Sequence, residues 1–239
     1  MENAIIMASG MGTRMRPLTE TTPKPLVKVC GKPMIETVID GLEIRGVDNI
    51  VVVVGYLGEQ FCYLEKKYGN ITIVKNTVYE TINNISSVYE ARDVLLKGNC
   101  FICEADLFVS DNSIFTSNFA SSCYFGKMVK GDSDDWVFDL NSEGVITRVG
   151  KVGTDCYNMT GIAYFKEEDT KKLYNAIEEE YGKPGYETMF WDDVVNKHIN
   201  EFSLRVFPVE HNQIVEIDTV AEWKSVQSRL LHCKERDLY

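Results

Sequence analysis

The sequence predicts an α/β fold: three layers, α/β/α, around a central mixed, mostly parallel sheet. Three observations predict it. Short apolar runs alternate with segments of helical periodicity from the N-terminus to about residue 120. The clearest run, Ile50 to Val54, is apolar at every position, as a strand covered on both faces must be. Glycine and aspartate recur where runs end: Gly10 and Gly12 after the first, Gly55-Tyr56 after the second, Asp106 after the fourth. In such doubly wound, Rossmann-like sheets the carboxyl ends of the strands form the ligand crevice, so these groups are expected on one rim.

Taken in order, Ala4 to Ala8 is the first strand and runs straight into Gly10-Met11-Gly12-Thr13-Arg14. Pro33 to Glu36 opens a helix with Ile35, Val38, Ile39 and Leu42 on one face, and Gly46 ends it. After the strand Ile50 to Val54, a helix reaches about Tyr68, and Ile71 to Val74 is a third strand. Ile85 to Leu96 is a helix entered through Asn83 or Asn84 as N-cap. Cys100 to Glu104 is the fourth strand.

The second half changes character. Ser121 to Val129, Trp136 to Leu140 and Val145 to Val149 read as antiparallel strands, with turns at Gly131-Asp132 and Asn141 to Gly144. Met159 to Phe165 is another strand. Helices near 167–181 and 188–200, strands at 203–208 and 214–217, and a helix from Thr219 close the chain. No linker, repeat or low-complexity stretch divides it, so residues 1–239 read as one domain whose halves, 1–120 and 121–239, share a sheet.

Composition narrows the function. A net charge of −11 disfavours a nucleic-acid partner. Met1-Glu2-Asn3 lacks the basic start of a secretion signal, and no apolar run is long enough to span a membrane. Seven scattered cysteines argue against a disulfide framework. Cys100-Phe-Ile-Cys103 has redox spacing but lies in a strand-like run, where buried thiols are expected. The expectation is a cytoplasmic protein with reduced thiols and no membrane insertion.

The first loop carries the chemistry. Gly10 and Gly12 let the backbone turn tightly and present its N–H groups to an anion. Gly-x-Gly after a strand is often only a turn, and here neither a third glycine nor a Gly-Lys-Ser/Thr follows to make a dinucleotide fingerprint or a P-loop. The continuation supplies the argument. Arg14, Arg16 and Lys24 place three cations on a loop stiffened by Pro17, Pro23 and Pro25, which suits a polyphosphate. Cleaving one requires charge neutralisation, which Mg²⁺ provides with carboxylates and waters. Asp106 and Asp218 each end a strand-like run, although Asp218 could equally cap the helix at Thr219.

Ala8-Ser9-Gly10-x-Gly12-Thr13-Arg14, Pro17-Leu18-Thr19 and Pro23-Lys24-Pro25 together resemble the signature of the nucleotidyltransferases that activate sugars and alcohols, with Ser9 where those proteins usually have alanine. Asn83-Asn84 with Ser87, Asp135-Trp136, Phe190-Trp191-Asp192-Asp193 and Val215 to Thr219 resemble the bacterial phosphocholine cytidylyltransferase branch; a related branch activates 2-aminoethylphosphonate. The resemblance covers nearly the whole chain.

It implies the nucleotide-diphospho-sugar transferase type of α/β sheet, with 1–120 as nucleotide-binding half and 121–239 as acceptor-binding half. It implies transfer of CMP from CTP to a phosphorylated amino-alcohol, phosphocholine first, giving CDP-choline and pyrophosphate. The alternatives are 2-aminoethylphosphonate, phosphoethanolamine or a sugar-1-phosphate as acceptor, or an inactive regulatory subunit. Arg14, Lys24 and Asp106 would be catalytic, with Asp106 and Asp218 as Mg²⁺ ligands. Ala8, Ser9, Gly10, Gly12, Thr13, Gly55, Tyr56, Asn84 and Ser87 would hold the nucleotide. Trp136, Trp191, Asp192 and Glu216 would meet the acceptor, with Phe190 a further wall. Aromatic faces suit a trimethylammonium, which cannot donate N–H bonds; a primary ammonium would seek Asp192 or Glu187 directly. No general base is required, so His198, His211 and His232 are expected at the surface. The charged end, Lys234 to Asp237, leaves open a fusion with a kinase or transaminase, or a functional partner such as a choline kinase.

Overall fold

The structure is a computed structural model and describes residues 1–236, with side chains through 230. Its strands are β1 (Glu2–Ala8), β2 (Lys28–Val29), β3 (Lys32–Pro33), β4 (Asn49–Val54), β5 (Ile71–Lys75), β6 (Asn99–Glu104), β7 (Leu107–Val109), β8 (Cys123–Leu140), β9 (Ile146–Phe165), β10 (Arg205–Pro208) and β11 (Ile214–Glu216). The α-helices are α1 (Met34–Arg45), α2 (Tyr63–Tyr68), α3 (Ile85–Ala91), α4 (Glu167–Glu180), α5 (Trp191–Lys197) and α6 (Val220–Arg236). Seven strands form one mixed sheet in the order β10-β8-β9-β6-β1-β4-β5. β5, β4, β1 and β6 run parallel, and β9 joins antiparallel to β6. This is the expected three-layer α/β/α sheet, and strands of both halves lie in it.

The sheet is buried on both faces because its strands send apolar side chains both ways. Ile6, Val52 and Phe101 point into a layer completed by Ile35, Val38, Ile39 and Leu42 of α1. Ile5, Val51, Val53 and Ile102, one position away, point into the opposite layer with Ile85, Leu173, Ile177 and Val194. Each such fully buried side chain stabilises the fold by roughly 1.5–3 kcal/mol. Gly46 ends α1 at φ 79°, as its position implied, donating to Glu43 O. Cys100 and Cys103 are buried free thiols, pushed up in pKa by burial.

Several elements differ from expectation. The helix expected over 85–96 is α3 followed by a 3₁₀ turn, Arg92–Lys97. Asn84 precedes α3 in helical geometry and makes no cap; its Oδ1 accepts instead from the Trp191 N–H at 2.9 Å. The expected 188–200 helix is the shorter α5 flanked by 3₁₀ turns. Gly131-Asp132 does not close a hairpin. β8 passes through it with a register shift, because β9 continues opposite and Asp155 Oδ1 accepts from the Gly131 N–H. Asn141 to Gly144 is the true turn, held by Asn141 Oδ1. His198 is half-buried at the surface, where its ring bonds Glu201 at 2.7 Å and lies 3.4 Å from Glu180. His211 is exposed. His232 and the Lys234 to Asp237 reading lie outside the described side chains.

Candidate active site

A cavity of about 730 Å³ opens at the carboxyl ends of β1 and β6. The glycine loop forms one side. Gly12 sits at φ 58°, and a Cβ there would lie 2.7 Å from the Lys24 Cβ, so the loop passes the lysine only without a side chain. Its carbonyl accepts from Thr19 Oγ1 at 2.8 Å. Ala8, Ser9, Gly10, Gly12, Thr13, Arg14 and Lys24 all line the cavity, with Asn84 and Ser87 across from them. Ser9 and Ser87 are buried, hydroxyl to hydroxyl at 3.2 Å, with Ser9 also donating to Val53 O.

Gly55 and Tyr56 are placed differently from expectation, outside the cavity wall. They brace the loop from behind: Tyr56 N–H donates to Ser9 O, and its hydroxyl donates to Thr19 O at 2.9 Å. A Cβ on Gly55 would lie 2.8 Å from Ser9 O, so only glycine permits this approach.

Carboxylates gather on the other side. β7 pairs with β11 in antiparallel register, Leu107 opposite Glu216, which brings Asp106 and Asp218 to the same end. Asp106, Glu216 and Asp218 each offer an oxygen, all within 4.8 Å of one another. Lys24 Nζ lies between two of them, 2.5 Å from Asp106 and 2.6 Å from Asp218. Arg14 reaches Asp218 at 2.7 Å from an exposed position.

Burial alone would lower the Lys24 pKa, but Asp106 and Asp218 override it and the ammonium persists. Burial pushes Glu216 up to about 8, aided by the charges of Asp106 and Asp218. Glu104, which also lines the cavity, is raised well above its ordinary value by burial and then by Asp106 and Glu216. Burial opposes ionisation of Asp218, yet Lys24 and then Arg14 hold it below its usual value. Asp106, Glu216 and Asp218, with Glu104 in the same cavity, gather hard oxygen donors around one buried ammonium, and such oxygens can hold a divalent cation such as Mg²⁺.

The far end is aromatic and charged. Trp136 and Phe190 meet edge to face at 5.4 Å, and Lys151 Nζ lies 5.5 Å from both ring centres. Asp134, Asp135 and Gly161 complete this end. Trp191 and Asp192 do not reach it, contrary to expectation. Trp191 is buried against Tyr124 and Phe165, and Asp192 accepts from the Tyr124 hydroxyl at 3.1 Å. The first turn of α5 points them into the core, and Phe190, just before it, faces the cavity. Glu187 does not line it either. The sequence reading missed Glu104, Asp134, Lys151 and Gly161. Glu104 had a usable signal, being two residues before Asp106 on the same strand end; Lys151 had none.

A strand-end glycine loop carrying arginine and lysine, set against paired aspartates, defines a nucleotidyl-transferring class of site. The chain belongs to the Nucleotidyl transferase family, whose model matches residues 3–168. It is 56% identical to the 2-aminoethylphosphonate cytidylyltransferase of Lancefieldella rimae, over 92% of this chain and 89% of that one. It is 33% identical to the choline-phosphate cytidylyltransferase of Streptococcus pneumoniae, over 95% of this chain and 97% of that one. The solved CTP:phosphocholine cytidylyltransferase of that organism, LicC, superposes with a TM-score of 0.87 at 32% identity, over 96% of this chain and 99% of that one. Among the described residues, no helix is long and apolar enough to cross a membrane.

Proposed function

We propose that this chain transfers CMP from CTP to 2-aminoethylphosphonate, releasing pyrophosphate, with Mg²⁺ held by Asp106 and Asp218 and Glu216 beside them. The sequence reading put phosphocholine first; the 56% relative against the 33% one favours the aminophosphonate. The carrying observation in the cavity is its acceptor end. Glu104, Glu216, Asp134 and Asp135 line the same cavity as one aromatic pair, Trp136 and Phe190. A primary ammonium donates three N–H bonds and suits carboxylates; a trimethylammonium needs aromatic walls.

A phosphonate oxygen attacks the α-phosphorus in line. One P–O bond forms, the bond to the bridging oxygen breaks, and the electron pair leaves with pyrophosphate. The nucleophile is already anionic, so no side chain need take a proton. Lys24 is positioned to meet the α-phosphate and the phosphonate, and Arg14 with the Gly10 to Gly12 amides to meet the β- and γ-phosphates. Bound Mg²⁺ would supply further neutralisation of the triphosphate. Asn84, Ser87 and the backbone at Ala8 and Ser9 offer hydrogen bonds to the base.

Phosphocholine is the second reading, supported by the likeness to LicC and by the Trp136–Phe190 pair. The deciding assay measures pyrophosphate release for CTP and UTP against 2-aminoethylphosphonate, phosphoethanolamine, phosphocholine and glucose-1-phosphate. The expected result is the highest kcat/KM for CTP with 2-aminoethylphosphonate. Equal or better turnover of phosphocholine would overturn the assignment.

A further inference from the structure

Within the β8–β9 ladder, Lys151 pairs opposite Trp136 and is held over the aromatic end of the cavity. Val152 takes φ 70°, in the left-handed region that a β-branched residue rarely adopts, and it is exposed. Arg148 fastens that bend: its guanidinium donates to the Lys151 carbonyl at 3.1 Å and to the Val152 carbonyl at 3.0 Å. Asp139 fixes the guanidinium with two bonds of 2.6 and 3.0 Å. Gly150 leaves the room for it, since a Cβ there would lie 2.6 Å from Arg148 Nη1. Lys151 emerges from this clamp into the cavity, its Nζ over Trp136 and Phe190.

Resting on the reading that the acceptor carries a primary amine, we propose that Lys151 is a specificity-determining residue. Its ammonium occupies the faces of Trp136 and Phe190 and withholds them from a trimethylammonium acceptor. Arg148 is its positioning residue.

Two effects add. A quaternary ammonium has no N–H to give carboxylates and depends on aromatic faces, which another cation already covers. The same lysine places a like charge beside it. A primary ammonium escapes both, because it can turn away from the rings toward Glu104, Glu216, Asp134 or Asp135, all lining the same cavity. Lys151 is exposed, so replacing it uncovers the rings without opening the core.

The test uses the whole protein with CTP and Mg²⁺. Lys151→Met keeps the side-chain length and removes the charge; Lys151→Arg keeps the charge. Phosphocholine KM is measured for each, or its calorimetric Kd where turnover is too slow. K151M is expected to lower that constant about tenfold, the range a freed aromatic pair gives a quaternary cation. K151R is expected to leave it within about twofold, and Arg148→Met to lower it by about threefold, since the lysine is loosened and not lost. A K151M value within twofold of wild type overturns the inference, and an unmoved R148M value overturns the positioning role. The readout uses phosphocholine alone, so it is separate from the acceptor preference of the wild-type enzyme, on which the proposed function stands or falls.

Discussion

The hydroxyl of Tyr124 donates to Asp192 Oδ1 at 3.1 Å, with both residues buried. Burial pushes the Asp192 carboxyl up to about 7; the tyrosine bond opposes that shift without cancelling it. A folded pKa above the unfolded value of 3.8 means the folded state holds its proton longer. Stability therefore falls as pH rises from about 4 to about 7, then levels. The slope from this group approaches 1.4 kcal/mol per pH unit at its steepest. Asp192→Asn keeps an acceptor for Tyr124 and removes the ionisation. It should flatten the dependence and exceed wild-type stability above pH 7, as read by urea unfolding at pH 5 and pH 8. Parallel curves for the two proteins would contradict this.

Trp191 and Asp192 also mark where the sequence stopped being legible. An aromatic-acidic pair at a helix start satisfies two descriptions equally: a cation-binding wall, or a buried first turn. Only the direction of α5 separates them, and that direction is fixed by contacts distant in sequence, such as Asn84 with the Trp191 N–H. The loop after β1 was legible because its glycines, prolines and cations lie close in sequence, between Gly10 and Pro25. The alternation through residue 120 was equally local. Lys151 and the continuous β8–β9 ladder were not, because they depend on which strand lies opposite.

Asn84→Ala follows from the same contact. Removing the side chain leaves the half-buried Trp191 N–H without its acceptor, which should cost about 1–3 kcal/mol. Because Asn84 lines the cavity and bonds the start of α5, the proposed function expects its loss to raise KM for both substrates. Thermal unfolding and steady-state kinetics check the two halves. A rise in KM for CTP alone, at unchanged stability, would mean the contact does not hold the helix.

Glu180 predicts the opposite pH behaviour. Although burial favours its neutral form, Lys197 and Lys183 bond its carboxylate at 2.8 and 2.9 Å, and its pKa falls to about 2. A depressed folded pKa contributes stability above the unfolded value of 4.5 that is lost as pH falls toward 2. Glu180→Gln should lower stability at pH 7 by about 1–3 kcal/mol, since two cations lose their shared partner. The deficit should shrink at pH 3. Denaturant midpoints at the two pH values measure it.

Gly12→Ala tests the loop. The new Cβ would meet the Lys24 Cβ at 2.7 Å, and alanine is strained at φ 58°. The strain should cost about 1–2 kcal/mol in stability. The greater effect should be on turnover, because Lys24 is displaced from between Asp106 and Asp218. A 1 Å misplacement of a catalytic group can cost about 100-fold in rate, so kcat should fall far more than stability suggests. Wild-type kcat in a folded G12A protein would show that the lysine tolerates movement.

Lys24→Met goes further, with an asymmetry that tests the role of charge. Under the proposed function, removing the ammonium takes away a donor to the reacting phosphate, worth about 10²–10³ in kcat. It also leaves Asp106, Asp218 and Glu216 without their buried counter-ion. The variant should therefore bind Mg²⁺ more tightly while turning over more slowly. Calorimetric titration of metal into the nucleotide-free protein reads the first effect, and pyrophosphate release at saturating Mg²⁺ reads the second. Chelation by EDTA should abolish transfer in the wild type, with recovery on adding Mg²⁺. Metal affinity that falls together with kcat would mean that Lys24 supports the carboxylate arrangement and does not compete with the ion for it.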